Sequence, residues 1–274
     1  MGATSRRERH RRAVPEGHTL HRLARDLGRD LVGHTLAVSS PQGRFAEAEG
    51  LSGTELVQVS ARGKHLFLRF SGAVVHVHLG LFGRFRRHKG PPPEGPASTV
   101  RLRLSTGELT WDLRGSTACA LVDHEAEEAL LARIGADPLV EGDDPEPAFR
   151  AMRRSSRAIG ALLLDQSLVS GIGNVYRAEL LFLVGVHPET PGRDVSLEAL
   201  RRLWKLAVEL LAVGVAKNRI VTRTPPKGVR ATRRETLYVY KRRVCTRCES
   251  SIEKPTVGGR PAYVCPVCQP KLEA

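Results

Sequence analysis

No run of apolar residues in this 274-residue chain approaches the roughly 20 that a membrane-spanning helix needs, so the sequence carries no signal for an integral helical membrane protein. Acid is short: 29 Asp and Glu face 43 Lys and Arg, and the formal net charge is +14. Such an imbalance predicts a polyanionic partner, and nucleic acid is the natural candidate. Nothing repeats at solenoid periods. The biased tracts are a basic leader and "KGPPPEGP" at 89–96, which reads as a loop joining strands. Cysteine is scarce and unevenly placed. Four of the five lie in "CTRC" and "CPVC" near the C-terminus, which is no disulfide scaffold. The fifth, Cys119, stands alone in an apolar stretch and reads as a small buried hydrophobe.

The leader, residues 1–14, has arginines but lacks the apolar core of a secretory signal. It reads as a disordered basic arm, a transit peptide, or residues outside the working protein. Removing residues 1–13 lowers the charge from +14 to +10, so the polyanion argument survives. From Gly17 to Val32 the residues Leu20, Leu23, Leu27 and Leu31 recur at helical spacing, with Pro15 and Glu16 suited to the first turn. Alternation in "LVQVSARGKHLFLRF", "AVVHVHLGLFGRFRRH" and "VRLRLSTGELTWDL" then predicts antiparallel strands of a β-sandwich, the last pair turning at Ser105-Thr106-Gly107.

A Pro-, Gly- and acid-rich tract, 135–147, breaks both periodicities and is expected to link a domain at 15–134 to a helical one at 148–237. There "AIGALLLDQSLVSGIGNVYRAELLFLVGV" reads as two helices about a Ser170-Gly171-Ile172-Gly173 turn. "SLEALRRLWKLAVELLAVGV" reads as a third helix capped by Ser196. Residues 238–270 read as short strands carrying the cysteines. The expected fold is α+β and two-lobed.

Cys245, Cys248, Cys265 and Cys268 form two C-x2-C knuckles around a Gly258-Gly259 hairpin, the arrangement of a structural tetrahedral zinc; a redox dithiol is the other reading. Arg260 lies between the knuckles, either as a solvated charge or as a phosphate contact. "SGIGN" brings two glycines and Asn174 to a helix start, where free amides make an anion site; a turn between helices without a ligand explains them equally. Lys64, at a strand start, has a plain reading as an edge lysine, and Pro15-Glu16 as a helix start.

Taken in order, "PEGHTLHR", "RGKHLF", "HLGLFG", "GIGNVYRAE", "VYKRRVCTRC" and "GGRPAYVCPVCQ" resemble the formamidopyrimidine-DNA glycosylase/endonuclease VIII family from Pro15 to Pro270. "PEGHTLHRLAR" is most similar to its actinobacterial endonuclease VIII-like branch. The resemblance implies an N-terminal helix with an antiparallel β-sandwich, a helix-two-turn-helix domain and a zinc-finger β-hairpin. It implies a bifunctional DNA glycosylase/AP lyase of base excision repair, removing oxidised bases, pyrimidines by branch. Pro15 would be the nucleophile, its amine forming a Schiff base that leads to β,δ-elimination, and Glu16 the general acid/base. Lys64, Asn174 and Arg260 would grip phosphates flanking the lesion. Leu81, with Phe82 as the alternative, would fill the hole left by the everted nucleotide, unless both are strand-end core. The implied cofactor is one structural zinc, with no nucleotide cofactor. The implied partner is damaged double-stranded DNA, and the implied state is a monomer in the bacterial cytoplasm, nucleoid-associated through DNA.

Two features depart from the pattern. Family members often carry a second glutamate four positions after the proline, where this chain has Thr19. The leader makes the Pro15 nitrogen an amide, whose delocalised lone pair attacks nothing. A GTG codon at Val14 could initiate as methionine, which is removed before proline, so the working start is expected at Pro15. The competing reading is a noncatalytic zinc-containing DNA-binding paralogue with Pro15 blocked, against which the retained Glu16 argues. A zinc-ribbon RNA-binding or ribosomal protein accounts for charge and cysteines but not for the front helix. Residues 223–235 are where a base-selecting loop is expected.

Overall fold

The computed structural model describes residues 15–93, 97–224, 232 and 235–271. Helix α1 (Gly17–Leu31) buries Leu20, Leu27 and Leu31 completely, as their spacing predicts. Behind it lie eight strands, β1 (Thr35–Ser39), β2 (Thr54–Arg62), β3 (His65–Phe70), β4 (Ala73–His78), β5 (Arg84–Lys89), β6 (Val100–Ser105), β7 (Leu109–Arg114) and β8 (Ala118–Val122). Every pairing is antiparallel, in the order β5-β7-β6-β1-β2-β3-β4-β8. Only Thr35↔Glu55 and Leu36↔Thr54 join the two four-stranded halves, which share one core of inward Leu, Val and Phe side chains with α1. The 105–107 turn forms as expected, with Gly107 at φ +89. Cys119 is buried among these strands, and burial pushes its thiol up to about 12.

After α2 (His124–Leu131), the second lobe is built from α3 (Glu146–Met152), α4 (Ile159–Leu162), α5 (Asn174–Val184) and α6 (Leu197–Lys217). Ser196 caps α6, its Oγ accepting from Ala199 N at 3.1 Å. The helix expected from Ala158 onward is one turn only. Asp165 takes the Ser167 N–H and hydroxyl on its own carboxylate, a local bond that competes with helix propagation, and the chain turns away. The tail also carries less strand than expected: β9 (Thr256–Val257) and β10 (Arg260–Pro261) are two residues each, joined through Gly258 and Gly259 at φ +61 and +71.

The lobes are tied at several depths. Arg22 on α1 donates to Val215 O and Ala216 O at the last turn of α6, at 2.9 and 3.0 Å. Arg62 pairs with Asp143 at 2.7 Å. Deepest is Asp137, wholly buried, which accepts from His21 Nε2 at 2.8 Å, Gly63 N at 2.6 Å and Leu139 N at 2.9 Å. The 135–147 tract is therefore pinned between the lobes. Asp137→Ala leaves three donors unsatisfied and is expected to destabilise by about 3 kcal/mol, read by urea unfolding; a loss within error would show that water replaces the carboxylate at no cost.

Candidate active site and nucleic-acid interface

Pro15 and Glu16 enter α1 where it abuts the first turn of α5. The Glu16 carboxylate accepts from Val175 N at 2.9 Å, Gly173 N at 3.1 Å and Tyr176 N at 3.3 Å, three amides that a helix start leaves unpaired. Gly17 N donates to Gly171 O at 2.8 Å. The contact is close enough to require glycine on both sides: a Cβ on Gly173 would lie 2.5 Å from the Glu16 carboxyl carbon, and one on Gly17 would lie 2.8 Å from Gly171 Cα. The anion site expected at 170–174 is thus filled from within, and its glycines admit a carboxylate of the same chain. Glu16 is 1% exposed. Burial raises its pKa against the opposing pull of Lys64 and the three amides, which keeps a proton within reach for general acid/base work.

Lys64 follows Gly63, which at φ +56 makes the β2–β3 turn against Ser170. It is half-buried and not the solvated edge lysine. Its Nζ donates to Ile172 O at 2.7 Å, and desolvation brings its pKa down to about 8 although Glu16 pulls the other way. Gln166, unnoticed in the sequence, fixes the same loop: its Nε2 donates to Ile172 O at 3.0 Å and its Oε1 accepts from Gly171 N at 3.1 Å. His65 and His76 sit beside Lys64 with Nδ1 and Nε2 2.8 Å apart, and burial holds both near pKa 4, so they add no charge at neutral pH.

Asn174 presents only part of its side-chain amide, one of its two N–H groups being engaged within the chain. Its Nδ2 bonds Pro261 O at 3.1 Å and its Oδ1 accepts from Arg177, which turns the amide toward the β9–β10 hairpin. Arg260 is exposed on that hairpin, and its charge disfavours protonation of both Lys64 and Arg177. The four cysteine sulfurs lie within 4.8 Å of one another, a cluster able to hold one metal ion. Leu81 and Phe82, in the turn between β4 and β5, are 54% and 78% exposed, which rules out the core reading. They line a cleft of about 520 Å3 with Pro15, Thr19, Asn218 and Arg219. The base-selecting loop expected at 223–235 lies largely outside the described residues. His21, Asp137, Gln166 and Arg177 were missed for a common reason: each looks like an isolated polar residue until the partner brought in from elsewhere in the chain is known.

The profile of the formamidopyrimidine-DNA glycosylase N-terminal domain matches residues 14–119, and that of the formamidopyrimidine-DNA glycosylase H2TH domain matches 134–225. Endonuclease 8 1 of Mycobacterium tuberculosis is 42% identical over 268 residues, covering 93% of this chain and 100% of that protein. Probable endonuclease 8 2 of Streptomyces coelicolor is 35% identical over 271 residues, covering 93% and 94%. The formamidopyrimidine-DNA glycosylase of Streptococcus thermophilus is 32% identical over 227 residues, covering 80% and 83%. Among solved structures, the Lactococcus lactis glycosylase in complex with an N7-benzyl-Fapy-dG containing DNA aligns with a TM-score of 0.79 at 25% identity, covering 94% of this chain and 100% of that one.

The Lys64 ammonium titrates near 8 in the folded chain against an ordinary 10.5, so folding releases a proton between those values and that share of stability is lost as pH falls through 8. Between pH 7.5 and 10.5 the stability difference between the parent and Lys64→Met is expected to move toward the parent by about 3 kcal/mol, measured by urea unfolding. A constant difference across that range would place Lys64 in water.

Proposed function

This chain belongs to the formamidopyrimidine-DNA glycosylase family, and from that premise we propose that it is a bifunctional DNA glycosylase/AP lyase of base excision repair in which Pro15 is the nucleophile. The observation that carries the reading is the placement of Pro15 on the cleft beside a buried Glu16 and a desolvated Lys64. In this reading the Pro15 lone pair bonds C1′ of the damaged nucleotide as the glycosidic bond breaks, and the amine proton leaves with the departing base. Glu16 gives its proton to O4′ as the sugar ring opens to an iminium, then accepts the C2′ proton during elimination of the 3′ phosphate. Elimination of the 5′ phosphate follows, and hydrolysis of the iminium frees Pro15. Lys64, Asn174 and Arg260 hold backbone phosphates, while Leu81 or Phe82 enters the stack where the nucleotide left.

Oxidised pyrimidines are the proposed substrates, on the likeness of "PEGHTLHRLAR" to the endonuclease VIII-like branch. The partner is damaged duplex DNA bound by a monomer in the bacterial cytoplasm. Zinc fits the cysteine cluster. Zn–S bonds near 2.3 Å place ligand sulfurs about 3.8 Å apart, and the sulfur separations here are 3.9 Å for Cys245–Cys268, 3.4 Å for Cys248–Cys265 and 3.5 Å for Cys248–Cys268. All four positions are protein thiols, so the metal would hold the hairpin and supply no open site. Stripping it with a mercurial is expected to release one zinc per chain and weaken binding to abasic-site DNA roughly tenfold, the scale of a lost phosphate contact; release with binding intact would remove the hairpin from the interface.

Pro15 must be a free amine, so the working form is proposed to begin there. Borohydride trapping on an oligonucleotide with one abasic site separates the readings, using residues 1–274 with the leader protected from processing and a form processed to Pro15. Adduct is expected only with the second, on the Pro15 nitrogen by peptide mapping. No adduct with either leaves a noncatalytic DNA-binding paralogue, and adduct on Lys64 gives the nucleophile's role to that amine.

A further inference from the structure

Arg177 is fully buried on α5, a helix otherwise rich in apolar side chains, and among the described residues it pairs with no carboxylate. A buried guanidinium without a counter-ion is costly, and it persists only where its hydrogen bonds are needed. Here all of them go to oxygen. Nη1 donates to Val257 O at 2.8 Å and Gly160 O at 3.2 Å, and Nη2 to Pro261 O at 3.0 Å and Asn174 Oδ1 at 2.5 Å. Val257 ends β9 and Pro261 ends β10, so one fork grips both strands of the hairpin on either side of Gly258-Gly259-Arg260. Asn174 reinforces the grip by donating to the same Pro261 carbonyl. The Arg260 side chain itself stays exposed and, among the described residues, makes no hydrogen bond or ion pair. A locked backbone therefore presents an unengaged cation.

Arg260 disfavours the charged forms of both Lys64 and Arg177, so three cations from three elements share one field with Glu16 as the opposing charge. One backbone phosphate is the ligand whose binding relieves that repulsion. We propose that Arg177 is a positioning residue that sets Arg260 and Asn174 on a single DNA phosphate by clamping the β9–β10 hairpin to the start of α5. The cysteine cluster folds the hairpin; Arg177 aims it. A lysine at the same depth would keep the charge but lose the planar fork that reaches both strands.

This inference rests on the DNA-repair reading above, and its test separates the two. Variants are made in whichever form of the chain traps on abasic DNA; a parent that neither traps nor binds is a failure of the functional reading itself. Dissociation constants are measured on a duplex with one tetrahydrofuran abasic-site analogue for the parent, Arg177→Lys, Arg260→Ala and the double variant. Single-turnover cleavage at saturating abasic DNA is measured in parallel. Arg177→Lys and Arg260→Ala are each expected to weaken binding about tenfold, and the double variant no more than about twofold further, because the two changes remove one contact. For Arg177→Lys the saturated cleavage rate is expected to stay within about twofold of the parent and zinc content at one per chain. Losses that multiply to about a hundredfold would overturn the proposal, since Arg177 would not act through Arg260. Parental binding by Arg177→Lys would overturn it by showing that charge alone suffices. Loss of zinc from Arg177→Lys would also overturn it, leaving Arg177 a residue that keeps the hairpin folded.

Discussion

The Glu16 carboxylate supplies acceptors to three of the amides that the first turn of α5 leaves unpaired. The surrounding sequence is shaped by that contact. Gly17 and Gly173 are needed because backbone meets backbone or carboxyl at distances where a Cβ has no room, and Gly171 because the turn holds it at φ +81. Gln166 and Lys64 bond the carbonyl of Ile172 so that the loop carrying those amides keeps its shape. Asp137 holds Gly63, the residue before Lys64, from the opposite side. Pro15 precedes Glu16 directly, so every restraint on the glutamate is also a restraint on Pro15 at the wall of the cleft. The joint between the lobes and this end of the cleft are one structure.

Where local chemistry decides the outcome, the sequence is a sufficient guide. Helical spacing of Leu20, Leu27 and Leu31, alternation in the strands, the cap at Ser196 and the paired knuckles all depend on residues within a few positions of one another, and all appear in the structure. Failures occur where a distant partner decides. "SGIGN" has the form of an open anion site, and its anion comes from residue 16, more than 150 positions earlier. Asn174 has the form of a phosphate ligand, and the sequence does not show that one of its two amide N–H groups is held by a carbonyl 87 positions later. Asp137 stands in a tract whose composition spells a linker, and it is wholly buried with bonds to His21 and Gly63 of the other lobe. No periodicity records such pairings, because the chain writes each half without reference to the other.

Net charge locates a polyanion somewhere on the surface; the structure shows a more selective arrangement. His65 and His76, next to Lys64, are held neutral by burial, while Lys64, Arg177 and Arg260 converge from a strand turn, a helix and the hairpin. Mutual repulsion raises the energy of the free protein in that region alone. An anion placed there would gain Coulomb attraction and also remove a penalty already present.

Burial acts on Glu16 and Lys64 in opposite directions with a convergent result. Removing water raises the carboxyl pKa and lowers that of the ammonium to about 8, which brings an acid and a base toward the same pH from either side. A proton passed between such groups crosses a smaller free-energy gap than between an ordinary glutamate and an ordinary lysine, and catalysis by proton transfer favours that condition near neutral pH. Thr19 fits this account. Its hydroxyl, on the cleft wall four residues after Pro15, does not ionise at neutral pH and so does not hold the charge that a glutamate there would hold. Glu16 and Lys64 are both held through backbone atoms of the 171–176 loop, while the cleft wall is made of side chains from α1, the β4–β5 turn and the end of α6. Substitutions in that wall can therefore reshape the cleft without touching the bonds that hold Glu16 and Lys64.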